Sequence, residues 1–328
     1  MQHIIILNFQ FSIIKFMKRV QNVISESRLT LPVVATYGMG TWAAAGLFHE
    51  QWWIQLACFA ISTYLMIELN NSNALIRIYS RMVSCSFIIL SSAMCFLFCS
   101  ISQAIAELCV IASYIMLFRC YQDRQAAGRT FYAFICLGLA SMFYVHTLFY
   151  VPAVWLLMAF YLQSFGWRSF LASVIGLITP YWFASVYFIY LEDFSLPVQH
   201  FLQLTDLQFP YDYTQITLQQ MVTFVFVIIT ATTGTIHYLR TSFNDKIRIR
   251  MLYNCFIVMN ILSTSYLIAQ PQHYDFLMRM IVINTSPLIA HFIALTHTRV
   301  TNISFCIITI SALLLTAYNL WISSSAFL

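Results

Sequence analysis

SFLASVIGLITPYWFASVYFIY, residues 169–190, is a run of 22 residues without a single charge. As an α-helix rising about 1.5 Å per residue it reaches about 33 Å, enough to cross the ~30 Å hydrocarbon core of a bilayer. Arg168 precedes it and Glu192 and Asp193 follow it, so charge is confined to its two ends. Working outward, comparable apolar runs recur near 31–47, 52–68, 82–99, 104–118, 130–146, 149–163, 217–238, 251–269, 277–296 and 303–322. None shows the strict apolar–polar alternation of a transmembrane β-strand. The expected fold class is all-α, a polytopic transmembrane helical bundle of about eleven spanning helices. An N-terminal cytoplasmic segment, 1–30, precedes a single transmembrane domain over 31–328.

Composition agrees. Of 328 residues, 61% are hydrophobic and 8% charged, with mean hydropathy +0.78. Soluble domains carry roughly 25% charged residues, so the solvent for most of this chain is lipid. Aromatic residues reach 17%, which suits interfacial Trp and Tyr and lipid-facing Phe. The net charge of +5 comes from basic residues scattered in short connections, which excludes a nucleic-acid patch. The nine cysteines fall in or beside apolar runs, none in an expected outer loop, and imply no disulfide framework. Cys95 and Cys99, one helical turn apart, read as small buried hydrophobes rather than a metal pair. No metal and no cofactor is expected.

Charge also sets the expected orientation. With the N-terminus inside, Lys15, Lys18, Arg19, Arg28, Arg77, Arg81, Arg119, Arg124, Arg129, Arg168, Arg240, Lys246, Arg248, Arg250 and Arg299 all fall on the cytoplasmic side. That leaves Arg279 as the outer cation, and retention of Lys and Arg inside is the known bias. Residues 1–16 are apolar but too short to span and lack a small-residue cleavage site, so no signal peptide is expected. Met17-Lys18-Arg19 directly after them resembles a natural start. The expected outer connections are short, except 191–216, which carries a short interfacial helix at 196–205 begun by Pro197.

No Walker loop, zinc-ligand helix pair or Gly-x-Ser-x-Gly elbow is present, which argues against ATP hydrolysis on this chain. His49, Glu50, His146, His200, Asp206, Asp212, His273, Asp275 and Arg279 are expected near the outer boundary. Three accounts compete for them: ordinary polar residues in the wet part, a substrate site, or a bound metal, in falling order. Glu107 lies three residues into its apolar run, where an ionisable group is costly unless paired or wetted, and Arg279 is the cation available to it. Glu68 lies near Arg77 and can snorkel to water. Pro180 and Pro287 interrupt two runs, as packing kinks or as the breaks on which transporter sites are built. Asn284-Thr285-Ser286-Pro287, with His291 a turn on, is the most polar mid-membrane stretch. Gly138 and Gly176 allow close helix approach.

LFRCYQDRQAAGRTFYAFICLGLASMFYVHTLFYVPAVWLL from Leu117, then WRSFLASVIGLITPYWFASVYF to Phe188, with NNSNALIRIYSR at 70–81 before them, resemble a family of uncharacterised polytopic membrane proteins of Bacteroidetes. The resemblance covers about residues 17–300 and implies an integral inner-membrane protein of the cell envelope. More loosely, the same stretch is similar to the helical core of GT-C-type glycosyltransferases that use polyprenyl-phosphate sugars. That similarity implies an envelope glycan or polyprenyl-lipid-handling protein, with membrane lipids and a polyprenyl-phosphate-linked substrate as partners. It would make Glu50 the catalytic base or a metal ligand, and Arg279, with its planar fork, the phosphate contact. His49, Glu107, His273 and Asp275 would complete the substrate site. The loop holding Glu50 is only His49–Gln51, shorter than in those enzymes. A small-solute transporter and a non-catalytic membrane scaffold are the alternatives.

Overall fold

The computed structural model describes residues 20–192, 195–206, 213–214, 216–296 and 298–325. The start at Met17, the apolar run 1–16 and Asp212 lie outside the described residues. Helix makes up 84% of the structure, and no strand occurs among the described residues, so the chain is all-α.

In chain order the helices are α1 (Val20–Glu26), α2 (Thr30–Ala44), α3 (Leu47–Glu50), α4 (Trp53–Asn73), α5 (Met82–Ser92), α6 (Ile101–Phe118) and α7 (Ala127–Phe143). They continue with α8 (Tyr150–Phe160), α9 (Trp167–Leu191), α10 (Ser195–Leu202), α11 (Leu218–Thr241), α12 (Ile247–Ala269), α13 (Tyr274–Leu295) and α14 (Arg299–Ser325). Among the described residues, six segments are long and apolar enough to cross a membrane: Ile101–Phe118, Trp167–Tyr190, Leu218–Asn244, Ile247–Ala269, Pro271–Leu295 and Arg299–Ser323. Of the remaining apolar runs, 52–68 holds α4, 21 residues long and ending in the polar Asn70–Asn73, and the others hold helices of 11 to 17 residues. The run 82–99 divides into α5 and a 3-10 turn at Cys95–Leu97, and α7 and α8 stop at Phe143 and Phe160. Hydropathy does not register the stop of α5, because the chain stays apolar from Ala93 to Phe98.

Backbone geometry terminates several elements. Ala74, Gln163 and Glu192 take left-handed conformations at or just past helix ends. Gly46, at φ +106°, makes the turn between α2 and α3, where a Cβ would be strained. Thr217 and Gln220 form a reciprocal capping box at the start of α11. The interfacial helix expected after Pro197 is α10, continued by a 3-10 turn at Gln203–Thr205.

Helix α13 is the axis of the bundle: its whole apolar window is buried, against 17% for that of α9 at the rim. Close approaches are made through glycine. A Cβ on Gly176 would lie 2.5 Å from the Phe131 carbonyl oxygen, and one on Gly138 2.7 Å from that of Leu177, so α7 and α9 meet backbone to backbone. Gly234 brings α11 equally close to Leu288 of α13. The helices with a proline deep in their interior run unbroken, α9 through Pro180 and α13 through Pro287.

Hydrogen bonds tie the connections into two ends. At one, Arg77 meets Asn244, Arg248 meets Asn73 and Phe118, Gln122 meets Leu162 and Ser169 meets Arg124. We call this the basic end. At the far end, Gln55 meets Cys99, Tyr144 meets His273 and Gln272 meets Asp206. Glu68 pairs with Arg119 at 3.2 Å rather than with the nearer-in-sequence Arg77, which turns to Asp245 instead.

Candidate functional site

The polar side chains of α13 face neighbours all the way along it. Near the far end Arg279, 8% exposed, places Nη1 2.5 Å from Glu107 Oε2 of α6 and donates from Nη2 to the Leu97 carbonyl. The cavity beside them, lined by Trp42, Gln55 and Ser91 among others, measures about 20 Å³. That is room for one water and not for a lipid phosphate. Arg279 Nε is buried without a hydrogen-bond partner. In mid-helix the Tyr114 hydroxyl donates to Asn284 Oδ1 (3.0 Å), and Asn260 donates to Thr285 Oγ1 (2.8 Å). The Tyr253 hydroxyl reaches the Pro287 carbonyl at 3.4 Å. The polar stretch therefore serves as the contact face of α13 toward α6 and α12.

Of the residues singled out in the sequence, the structure joins Glu107 to Arg279 and places His273 in a separate far-end cluster. There the Tyr144 hydroxyl and His273 Nδ1 are 2.8 Å apart, and the His146 and His273 rings lie with centroids at 3.8 Å. Burial pushes the His146 imidazole, in the connection between α7 and α8, down from its ordinary value, with Asp206 pulling weakly the other way. Asp275 is half-buried a turn before Arg279. Glu50 and His49 stand apart on α3, hydrogen-bonded to one another at 2.9 Å, with the His49 side chain 87% exposed. His200 accepts or donates nothing to this cluster directly; its Nε2 is 3.0 Å from the Ser141 carbonyl.

Two features escaped the sequence. One is Asp245, in the connection between α11 and α12, which is buried and holds His291 Nε2 at 3.0 Å. An aspartate among Asn244, Lys246 and Arg248 reads as a solvated turn residue, and only the fold shows that it turns inward. The other is a lateral groove of about 370 Å³ at the basic end, walled by α1, α2, α5, α11, α13 and α14. Val33, Ile89, Phe226, Ile289, Ile293 and Phe305 line it, relieved only by hydroxyls such as Ser27, Thr30 and Thr230. Its size falls in the range of about 300–1,000 Å³ typical of ligand pockets. Arg28 sits between the lining residues Ser27 and Leu29, and Arg81 next to lining Met82, close enough to lining Cys85 to be felt there. Glu26 at the end of α1 is the acid beside them. A groove assembled from six helices has no signature in any one of them. No protein-family model, no curated protein and no solved structure matches the chain.

Proposed function

We propose that the chain is a multi-pass protein of a bacterial inner membrane that handles a long-chain lipid phosphate, of the polyprenyl-phosphate class used in envelope glycan assembly. The observation that carries this reading is the apolar groove, whose lining residues Ser27, Leu29 and Met82 are the chain neighbours of Arg28 and Arg81. An apolar chain in the groove would bring its phosphate to the segments that carry these two arginines, whose guanidinium groups suit phosphate oxygens through their paired donors; Arg81 also donates from Nε to the Tyr79 hydroxyl (3.1 Å). Arg279 is not used for this, because its guanidinium is committed to Glu107 and Leu97. In this reading the basic end faces the cytoplasm, and α2, α4, α5, α7 and α8 join the six helices that are long and apolar enough to cross, giving eleven passes. The short ones are accommodated by local thinning and by the flanking 3-10 turns.

The test is binding of a polyprenyl phosphate, phosphatidylglycerol and a neutral diacylglycerol to the full chain in nanodiscs, read by native mass spectrometry. We expect the polyprenyl phosphate to be retained best, and the Arg28→Ala/Arg81→Ala double variant to lose about tenfold or more in affinity, since a hydrogen bond to a charged group contributes about 1.5–3 kcal/mol. Equal retention of the neutral lipid, or an unchanged double variant, would overturn the reading. Small-solute transport is a second reading, favoured by the buried polar line on α13. The 20 Å³ cavity at Glu107 and Arg279 limits what could move there to something no larger than water.

A further inference from the structure

The basic end of α13 holds a group of side chains that the groove does not explain. His291 is 1% exposed, and its Nε2 lies 3.0 Å from Asp245 Oδ2. An ionised carboxylate only accepts, so Nε2 carries the hydrogen and Nδ1 carries the lone pair. That Nδ1 is buried and has no hydrogen-bond partner, and the same is true of Nδ1 on His237, whose ring centroid is 5.5 Å away. The hydroxyls nearby are engaged elsewhere: Tyr238 donates to the Arg250 carbonyl and Tyr253 to the Pro287 carbonyl. Two buried ring nitrogens without partners are an unfavourable arrangement whichever tautomer His237 holds, and they are the positions at which one proton can be added. The counter-charge is in place, because Asp245 already touches His291, with Arg77 Nη1 4.0 Å from its other oxygen. His237, half-buried, is the member through which a proton can enter.

We propose that His237, His291 and Asp245 form a one-proton binding site, and that its occupancy sets the affinity of the groove on the other flank of α13. The second half rests on the lipid reading; the first does not. The charged and titratable groups facing the site are His237 and Tyr238 from α11, Asp245 from the following connection, Arg250 and Tyr253 from α12, and Arg77 from the connection after α4. From α1 come the neutral amides of Gln21 and Asn22. Coupling has a direct route. His291 sits between Ile289 and Ile293, both of which line the groove. Gln21 Nε2 donates to the Ile293 carbonyl (2.7 Å) and to Thr296 Oγ1, fastening α1 to the same turn, and Val23 and Ile24 of α1 form part of the groove wall. A proton that redraws the contacts of His291 therefore acts on a turn shared with the groove.

The experiment uses the full chain in nanodiscs with ¹⁵N-labelled histidine. Ring-nitrogen shifts are followed from about pH 8 to about pH 4.5, alongside polyprenyl-phosphate affinity at both ends of that range. We expect a single one-proton Nδ1 protonation within the His237–His291 pair, present without lipid and removed by His291→Gln. We expect an affinity change of about tenfold across it, flat in that variant. His237→Gln, at a half-buried position, gives the same reading if His291→Gln does not fold. Nδ1 atoms that stay unprotonated throughout would overturn the proton site. Protonation without any change in affinity would overturn the coupling alone. Protonation in a protein that binds no lipid would leave the proton site standing and remove the lipid reading.

Discussion

Arg279 enters the bundle where a cation is expensive, and the structure accounts for it by pairing. Its charge meets Glu107 at 2.5 Å with both side chains buried. Removing one partner of such a pair leaves the other charge uncompensated, at a cost of about 3–5 kcal/mol. Arg279→Ala is therefore expected to lower the melting temperature in detergent markedly, and Arg279→Leu/Glu107→Leu to recover much of the loss. A variant Arg279→Ala as stable as the parent would show that the pair contributes nothing. Glu50 provides the contrast. It pairs only with the exposed His49, and exposed ion pairs contribute about 0–1 kcal/mol. Glu50→Gln is expected to leave the melting temperature unchanged, so any loss of function in that variant would be chemical in origin. A clear drop in melting temperature would show that α3 is held more tightly than its exposure indicates.

At the scale of elements, three glycines decide how closely helices pass. A Cβ on Gly234 would stand 2.7 Å from the Leu288 carbonyl carbon, whereas nothing lies within 4 Å of one on Gly40. Backbone cannot yield as a side-chain tip can, so Gly234→Ala forces α11 away from α13 at about 1–3 kcal/mol. Gly40→Ala lies inside α2 in open space and should be neutral or stabilising by up to about 1 kcal/mol, through the greater helix propensity of alanine. Thermal unfolding of the two variants side by side checks both signs. Equal behaviour would mean that α11 and α13 are not in backbone contact. Proline at 287 removes a hydrogen bond to the Ile283 carbonyl one turn earlier, yet α13 runs on to Leu295.

For the whole molecule, the two tied ends make a topological prediction. Cysteine-labelling sites or reporter fusions at Asn73, Gln125 and Asn244 are expected in one compartment and at Thr205 in the other. Asn73 and Asn244 both share bonds within the basic end, through Arg248 and Arg77, while the Asp206 carbonyl next to Thr205 bonds at the far end. Thr205 and Asn244 reporting the same side would mean that α11, 24 residues long, does not cross. Such a result would also dissolve the charge partition on which the orientation rests.

Chain composition and the recurring apolar runs determined by themselves that this is an all-helical protein with helices long and apolar enough to cross a membrane. They also located the α10 segment, the close-packing glycines at 138 and 176, and Arg279 as a cation in need of a partner. These are local properties: length, hydropathy and residue size can be read one segment at a time. The tertiary structure alone decided which helix is central. In lipid, a rim helix such as α9 and a buried one such as α13 are both apolar, because the solvent is as apolar as the core. It alone decided where helices stop inside apolar runs, as α5 does at Ser92 within the run 82–99. It also chose partners, since Glu107 and Arg279 are 172 residues apart and Asp245 and His291 46. The groove at the basic end exists only where six helices are brought together, because concavity belongs to the arrangement and to no segment of the chain.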